Sequence, residues 1–293
     1  MTPRRLLSLT AALVVLCPAG AGFAQSSRAE VRAAYGPAGQ LVRLVTVWNR
    51  GARLVAGEAE PVSLHRGEVA ATLTAGHGRV VVALAVDHAR EPFRLRLLGD
   101  DGLGEAIRIA RPGERHDLPF AVAATPTPDG FAVFFQEIER QDPSAAHTYL
   151  VWLDQDGQPT GAATEIPVPW ALAAAAWNGT GFHLALIYPG GGDGMRLSMV
   201  STTKQGRPEQ HPDWASRAGY VADVHLVAED GKVRAFYRGG AGGDRLLERD
   251  VTAIGSWGRE PAKATDHGAL AADRAIAISK RGEPTAVAGA KLE

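Results

Sequence analysis

The stretch ALAAAAWNGTGFHLALIY, residues 171–188, holds two apolar runs joined at a glycine turn. Ala171 to Trp177 precede Gly181, and Phe182 to Tyr188 follow it. Short apolar runs meeting at Asn and Gly read as a β-hairpin. The same arrangement recurs on both sides of this segment. Val69–Ala75 and Val80–Val86 flank Gly78, and Ala121–Thr125 and Phe131–Ile138 flank Gly130. Val221–Ala228 and Val233–Tyr237 flank Gly231, and Ala271–Ser279 and Thr285–Ala290 flank Gly282. These glycines are spaced by 52, 51, 50 and 51 residues.

A second glycine register runs in phase with the first. Gly51, Gly102, Gly157, Gly206 and Gly255 are separated by 51, 55, 49 and 49 residues. Each follows a further strand, such as Leu41–Trp48, Phe93–Leu98, Thr148–Leu153, Met195–Val200 or Leu246–Val251. Asp, Asn and Gly suit such turns because they tolerate positive φ or bond their own backbone. A weaker fourth strand follows each time, so every unit holds strands A to D in about fifty residues. Periods of that size indicate a propeller.

The alanine-rich A strands, Ala173–Ala176 above all, suit the crowded innermost position. Four intact units and one assembled from the two ends predict an all-β, five-bladed propeller of four antiparallel strands per blade. Closure is expected by pairing 269–290 with 41–63, which would leave no open sheet edge. Residues 25–40 are read as linker or an added strand, and 41–293 as a single domain. A β-sandwich is the competing architecture, but it does not account for two registers held in phase.

The N-terminus reads as an export signal. Arg4 and Arg5 precede the apolar run Leu6–Leu16, and Gly22-Phe23-Ala24 offers a cleavage site, so residues 1–24 are expected to be removed. The run is short for an uncleaved span. The only cysteine, Cys17, lies inside it between Leu16 and Pro18, a poor setting for a lipid anchor. The expected mature chain is therefore periplasmic or extracellular and without disulfides, so packing must stabilise it. It carries 29 basic and 32 acidic side chains. That balance argues against nucleic acid as a partner. No transmembrane span is expected after signal removal, and the chain is expected to act as a monomer.

Trp177-Asn178-Gly179-Thr180-Gly181-Phe182 resembles secreted bacterial propeller repeats of the form Trp-Asp/Asn-Gly-Thr-x-Phe/Tyr. One unit carries the full pattern, and the others keep the glycine alone. The resemblance implies a propeller rather than a particular activity. The Trp-Asp ending of WD40 repeats and the double glycine of Kelch repeats are both missing.

Longer, more varied loops connect B to C and D to A, so that face is the expected binding surface. Trp170, Trp214 and Tyr220 fall on it, with Tyr188 ending a B strand beside them, and Arg115, His116 and Arg238 could add polar contacts. Aromatic platforms stack on sugars or anchor proteins, although such rings also serve as inter-blade core. Glu68, Asp117, Asp223 and Asp273 stand near the starts of inner strands, where a carboxylate pair about 5–10 Å apart could cleave glycosides. Nine histidines are scattered without metal-ligand spacing, and Asp154-Gln155-Asp156-Gly157 is read as a turn rather than a calcium loop. No metal, cofactor, phosphate loop or nucleophile elbow is expected. The leading expectation is a non-enzymatic module that binds a protein or glycan. The alternatives are a glycoside-active enzyme with axial carboxylates and a structural module of an envelope assembly.

Overall fold

The computed structural model describes residues 30–47, 50–87, 90–113, 117–140, 142, 145–168, 171–190, 194–210, 221–239, 245–251, 263–269, 274–278 and 284–288. They form five small antiparallel sheets arranged as a five-bladed β-propeller. Blade 1 contains β1 (Glu30–Tyr35), β2 (Leu41–Val47), β3 (Gly51–Ala56) and β4 (Val62–His65). Blade 2 contains β5 (Val69–Gly76), β6 (Arg79–Val86), β7 (Phe93–Gly99), β8 (Gly102–Leu103) and β9 (Ile107–Ile109). Blade 3 contains β10 (Asp117–Thr127), β11 (Gly130–Glu139), β12 (Ala146–Asp154) and β13 (Thr164–Ile166). Blade 4 contains β14 (Ala171–Trp177), β15 (Gly181–Gly190), β16 (Gly194–Thr203) and β17 (Pro208–Gln210). Blade 5 contains β18 (Ala222–Glu229), β19 (Lys232–Gly239), β20 (Arg245–Asp250) and β21 (Lys263–Ala269). A final hairpin, β22 (Arg274–Ile278) and β23 (Pro284–Ala288), joins the edge of blade 1.

The strands are apolar on both faces because each blade is covered twice. Phe131, Val133 and Phe135 of β11 pack with Phe93 and Leu95 of blade 2. Their alternates Ala132 and Phe134 pack with Phe182 and Leu184 of blade 4. Side chains alternate across a strand, so a strand buried on both sides reads as a continuous run. The glycine registers reflect the same close packing. Gly206 has a φ of 75°, and a Cβ there would lie 2.8 Å from Cγ2 of Ile166 on the preceding blade.

The closure differs in detail from the sequence expectation. Residues 30–35 form the first strand of blade 1, pairing with β2 over six register positions. The C-terminal hairpin adds outside that pair, with β22 parallel to β1 at Ala33–Ala277 and Ala34–Ile278. The turn from β1 to β2 is tight, with Gly36 N–H bonding the Gln40 carbonyl at 2.8 Å. β1 needs only this tight turn to reach β2, and the chain ends still meet because the C-terminal hairpin pairs with β1. The local hairpin therefore takes the place beside β2 that was expected for Thr285–Ala290. Ala33, Ala277 and Val287 pack together, while Ile276 packs with Phe236 and Leu246 of blade 5. The hairpin thus fills the space between the last blade and the first.

Candidate functional site on the propeller axis

The inner strands β1, β5, β10, β14 and β18 surround an axial cavity of about 800 Å³. Alanines recur along its walls, including Ala33, Ala123 and Ala173–Ala176, as expected for innermost strands. All five strands run the same way along it, and their C-terminal ends lead to the A–B turns. Their beginnings therefore share the opposite rim, where the B–C and D–A connections lie. Four acids mark that rim: Glu30 opens β1, Glu68 precedes β5, Asp117 opens β10 and Asp223 is second in β18. Three of them were candidates from sequence. Glu30 was missed because its segment had no assigned strand.

Arg32 crosses the axis. Its Nε and Nη2 meet Oε1 of Glu30 at 3.1 and 2.9 Å, and Nη1 donates to the carbonyls of Val224 at 3.3 Å and Ala173 at 3.5 Å. One guanidinium so joins blades 1, 4 and 5. Asp223 stands beside it with a φ of 52°, at a bulge in the β18–β19 ladder. Asp tolerates this left-handed conformation better than most residues. Its Oδ2 accepts the Ile276 N–H at 2.9 Å, and its Oδ1 accepts Nε2–H of His225 at 3.1 Å. Burial pushes the Asp223 carboxyl upward. His225, Arg32 and the Ile276 N–H outweigh it and hold the group below the usual carboxylate range. Arg32 and His225 line the cavity, whereas their carboxylate partners Glu30 and Asp223 lie behind them, outside a lining that extends toward the A–B turns.

Asp117 belongs to a different group. Nη1 of Arg111 lies 2.9 Å from Oε2 of Glu137 and 3.6 Å from Oδ2 of Asp117. These side chains are 1%, 0% and 4% exposed, so the group is sealed between blades 2 and 3. Burial raises the Glu137 carboxyl above its ordinary value, and the Asp117 charge adds to the rise, with Arg111 and His147 opposing. Nearby, the ring nitrogens of His147 contact Glu139 at 2.9 Å and Glu165 at 2.7 Å. Glu137 could have been noticed as the lone charge in the apolar run Phe131–Ile138, since buried charges need partners.

The acids that the sequence places near inner-strand starts are thus divided. Asp223 lies at the axis with Glu30, whereas Asp117 is withdrawn into the Arg111 group. Glu68 stands on the blade 2 rim near His65 and Arg140. Arg238, expected at the polar rim, is only 5% exposed within β19, because strands on both sides enclose it. Trp170, Trp214, Tyr220, Arg115, His116 and Asp273 lie outside the described residues, and Tyr188 is described only as a backbone position of β15 opposite Arg196. Among the described residues, no cluster of three or more His, Cys, Asp or Glu is placed to hold a metal ion, and no helix is long and apolar enough to cross a membrane.

No protein-family model and no curated protein matches the sequence. Solved structures do match. One is an α-L-arabinofuranosidase from Fusarium graminearum in complex with an iminosugar inhibitor, at 11% identity and a TM-score of 0.54, covering 88% of this chain and 87% of that one. Another is an α-L-arabinanase from Penicillium chrysogenum complexed with arabinobiose, at 12% identity and a TM-score of 0.50, covering 88% of each chain. The likeness itself shows the fold. On function it tells against the expected non-enzymatic binding module, since these matching proteins are enzymes. The glycoside-active alternative is the reading carried forward.

Proposed function

We propose that the chain is a glycoside-active enzyme whose chemistry is carried by carboxylates on the propeller axis. The observation that supports this reading is the pairing of Glu30 and Asp223 with Arg32 and His225, two side chains that line the axial cavity. Its volume of about 800 Å³ falls within the range of small-molecule sites. Glycoside cleavage needs one carboxylate that stays ionised and a second carboxyl that moves a proton. Asp223 fills the first role, because His225, Arg32 and the Ile276 N–H stabilise its charge. Glu30, 56% exposed in its side chain, fills the second. Arg32 sets the position of both. The buried Glu137 group is structural in this reading.

The proposal includes export, with residues 1–24 as a cleaved signal, and retains the kinship with secreted propeller repeats suggested by Trp177–Phe182. The ligand is then a glycan met outside the cytoplasm. The test is turnover of a panel of aryl glycosides and polysaccharides, beginning with α-L-arabinofuranosides and arabinan, the sugars of the matching folds. Asp223→Asn and Glu30→Gln should each lower kcat/KM by 10²-fold or more while leaving the fold intact by circular dichroism. Full activity in both variants would remove the axial assignment, and an inert wild-type protein across the panel would remove the enzymatic reading.

A further inference from the structure

Arg94 of β7 and Arg108 of β9 are direct partners across an antiparallel ladder. Like charges placed opposite each other destabilise a sheet. The flanking pairs, Phe93 with Ile109 and Leu95 with Ile107, turn the other way into the core shared with blade 3. The two arginines therefore share the opposite face of the ladder, and that apolar alternation fixes them there. Among the described residues, Glu91 is the carboxylate that acts on both arginines, while Asp87 and the Glu68 backbone act on the neighbouring His65. Arg108 meets Glu91 at 3.7 Å, with both side chains largely in solvent. Glu91 also acts on Arg94, so one carboxylate serves two guanidinium groups. Asp87 is taken by Arg140 at 2.6 Å.

Arg94 is the more constrained of the two. Its Nε is buried and has no hydrogen-bond partner among the described residues. Burial, and then the charge of Arg108, lowers its proton affinity. His65 of blade 1 stands on the same side, and burial together with Arg94 lowers its pKa too. Such a set is costly without an anion, and a planar guanidinium is suited to binding an oxyanion in two-point fashion through its two terminal nitrogens.

We propose that Arg94 and Arg108 form an oxyanion-binding site at the outer boundary of blades 1 and 2. The ligand group is a carboxylate, phosphate or sulfate, presented either as a free ion or as the acidic substituent of a glycan. The site is separate from the axial carboxylates and does not depend on the chain being an enzyme.

The test is isothermal calorimetry of the folded chain with inorganic phosphate and with a short oligogalacturonide, against chloride at equal ionic strength. Saturable binding of either probe is expected, weakened at least tenfold in Arg94→Gln and in Arg108→Gln. Arg94→Lys should lose most of the affinity as well, because it keeps the charge and loses the fork. Tighter binding of the oligogalacturonide identifies a glycan acid as the natural group, and tighter phosphate binding identifies a free ion. A second measurement reads the repulsion directly. In low-salt buffer without either probe, Arg94→Gln should raise or preserve Tm, since it relieves the cross-strand clash. Absence of saturable binding, a response equal to that of chloride, or undiminished binding in the Arg94→Gln, Arg108→Gln double variant would each overturn the proposal.

Discussion

Arg32 on the first strand donates from Nη1 to the backbone carbonyl of Val224, 3.3 Å away on the fifth blade. The residues are 192 positions apart, and this bond lies beside the seam where the ring closes. The C-terminal hairpin supports the same seam, because Ile276 donates its N–H to the neighbouring Asp223. Closure therefore rests on strand pairing and on a small charged cluster at the axis.

Removing that cation should weaken the closure in a pH-dependent way. Arg32→Met removes the bonds to Ala173 and Val224 and leaves Asp223 with less compensation. A cost of about 1–3 kcal/mol is expected for lost hydrogen bonds to a charged donor. Asp223 has a folded pKa below its ordinary value of 3.8, so its stabilisation is present above that value. It is lost as pH falls through the lower, folded-state pKa. In Arg32→Met the folded-state pKa rises toward the ordinary value, and the acid contribution shrinks. Urea denaturation from pH 2 to pH 6 should show a smaller Asp223-dependent loss in the variant. An unchanged curve would disprove the coupling.

Glu137 should act with the opposite sign. Its folded pKa lies above the ordinary 4.5, so the native state holds its proton more tightly than the unfolded chain. Stability from this group is greatest at low pH and declines as pH rises from the unfolded toward the folded pKa. Glu137→Gln keeps a neutral hydrogen-bonding side chain and should flatten that decline. Arg111→Met should be far more damaging. It strands two buried carboxyls without a cation, which typically costs about 3–5 kcal/mol. Comparison of urea midpoints at pH 5 and pH 8 separates the two effects. A Glu137→Gln protein with the wild-type pH slope would contradict the assignment.

Gly206 tests the link between the repeat and blade packing. Ala at this position would hold a positive φ and press its Cβ against Ile166 at 2.8 Å. A loss of about 1–3 kcal/mol is expected from overpacking and backbone strain. Gly78 also has positive φ, but nothing lies within 4 Å of a Cβ there. Gly78→Ala should therefore cost less, and equal losses at the two sites would refute the packing account.

Much of the fold was legible along the chain because propeller blades are local objects. Each hairpin pairs neighbours in sequence, and each turn demands glycine or a small polar residue. The strand Ala171–Trp177 could accordingly be delimited from its alanines and its Asn-Gly turn alone. The closure was less legible, since residues 25–40 read equally as a linker or an added strand. The tight turn into β2 and the packing of the C-terminal hairpin against blade 5 decided the matter in three dimensions.

The candidate site divides along the same line. Acids near inner-strand starts could be picked out one by one, because strand phase assigns them to a rim. Their electrostatic character could not. Whether a carboxylate meets Arg32, as Asp223 does, or shares Arg111 with a buried acid, as Asp117 does, depends on residues from other blades. Sequence determined the five-fold repeat and the rim through local pairing, whereas the tertiary structure selected the partners, because charge and burial act through space rather than along the chain.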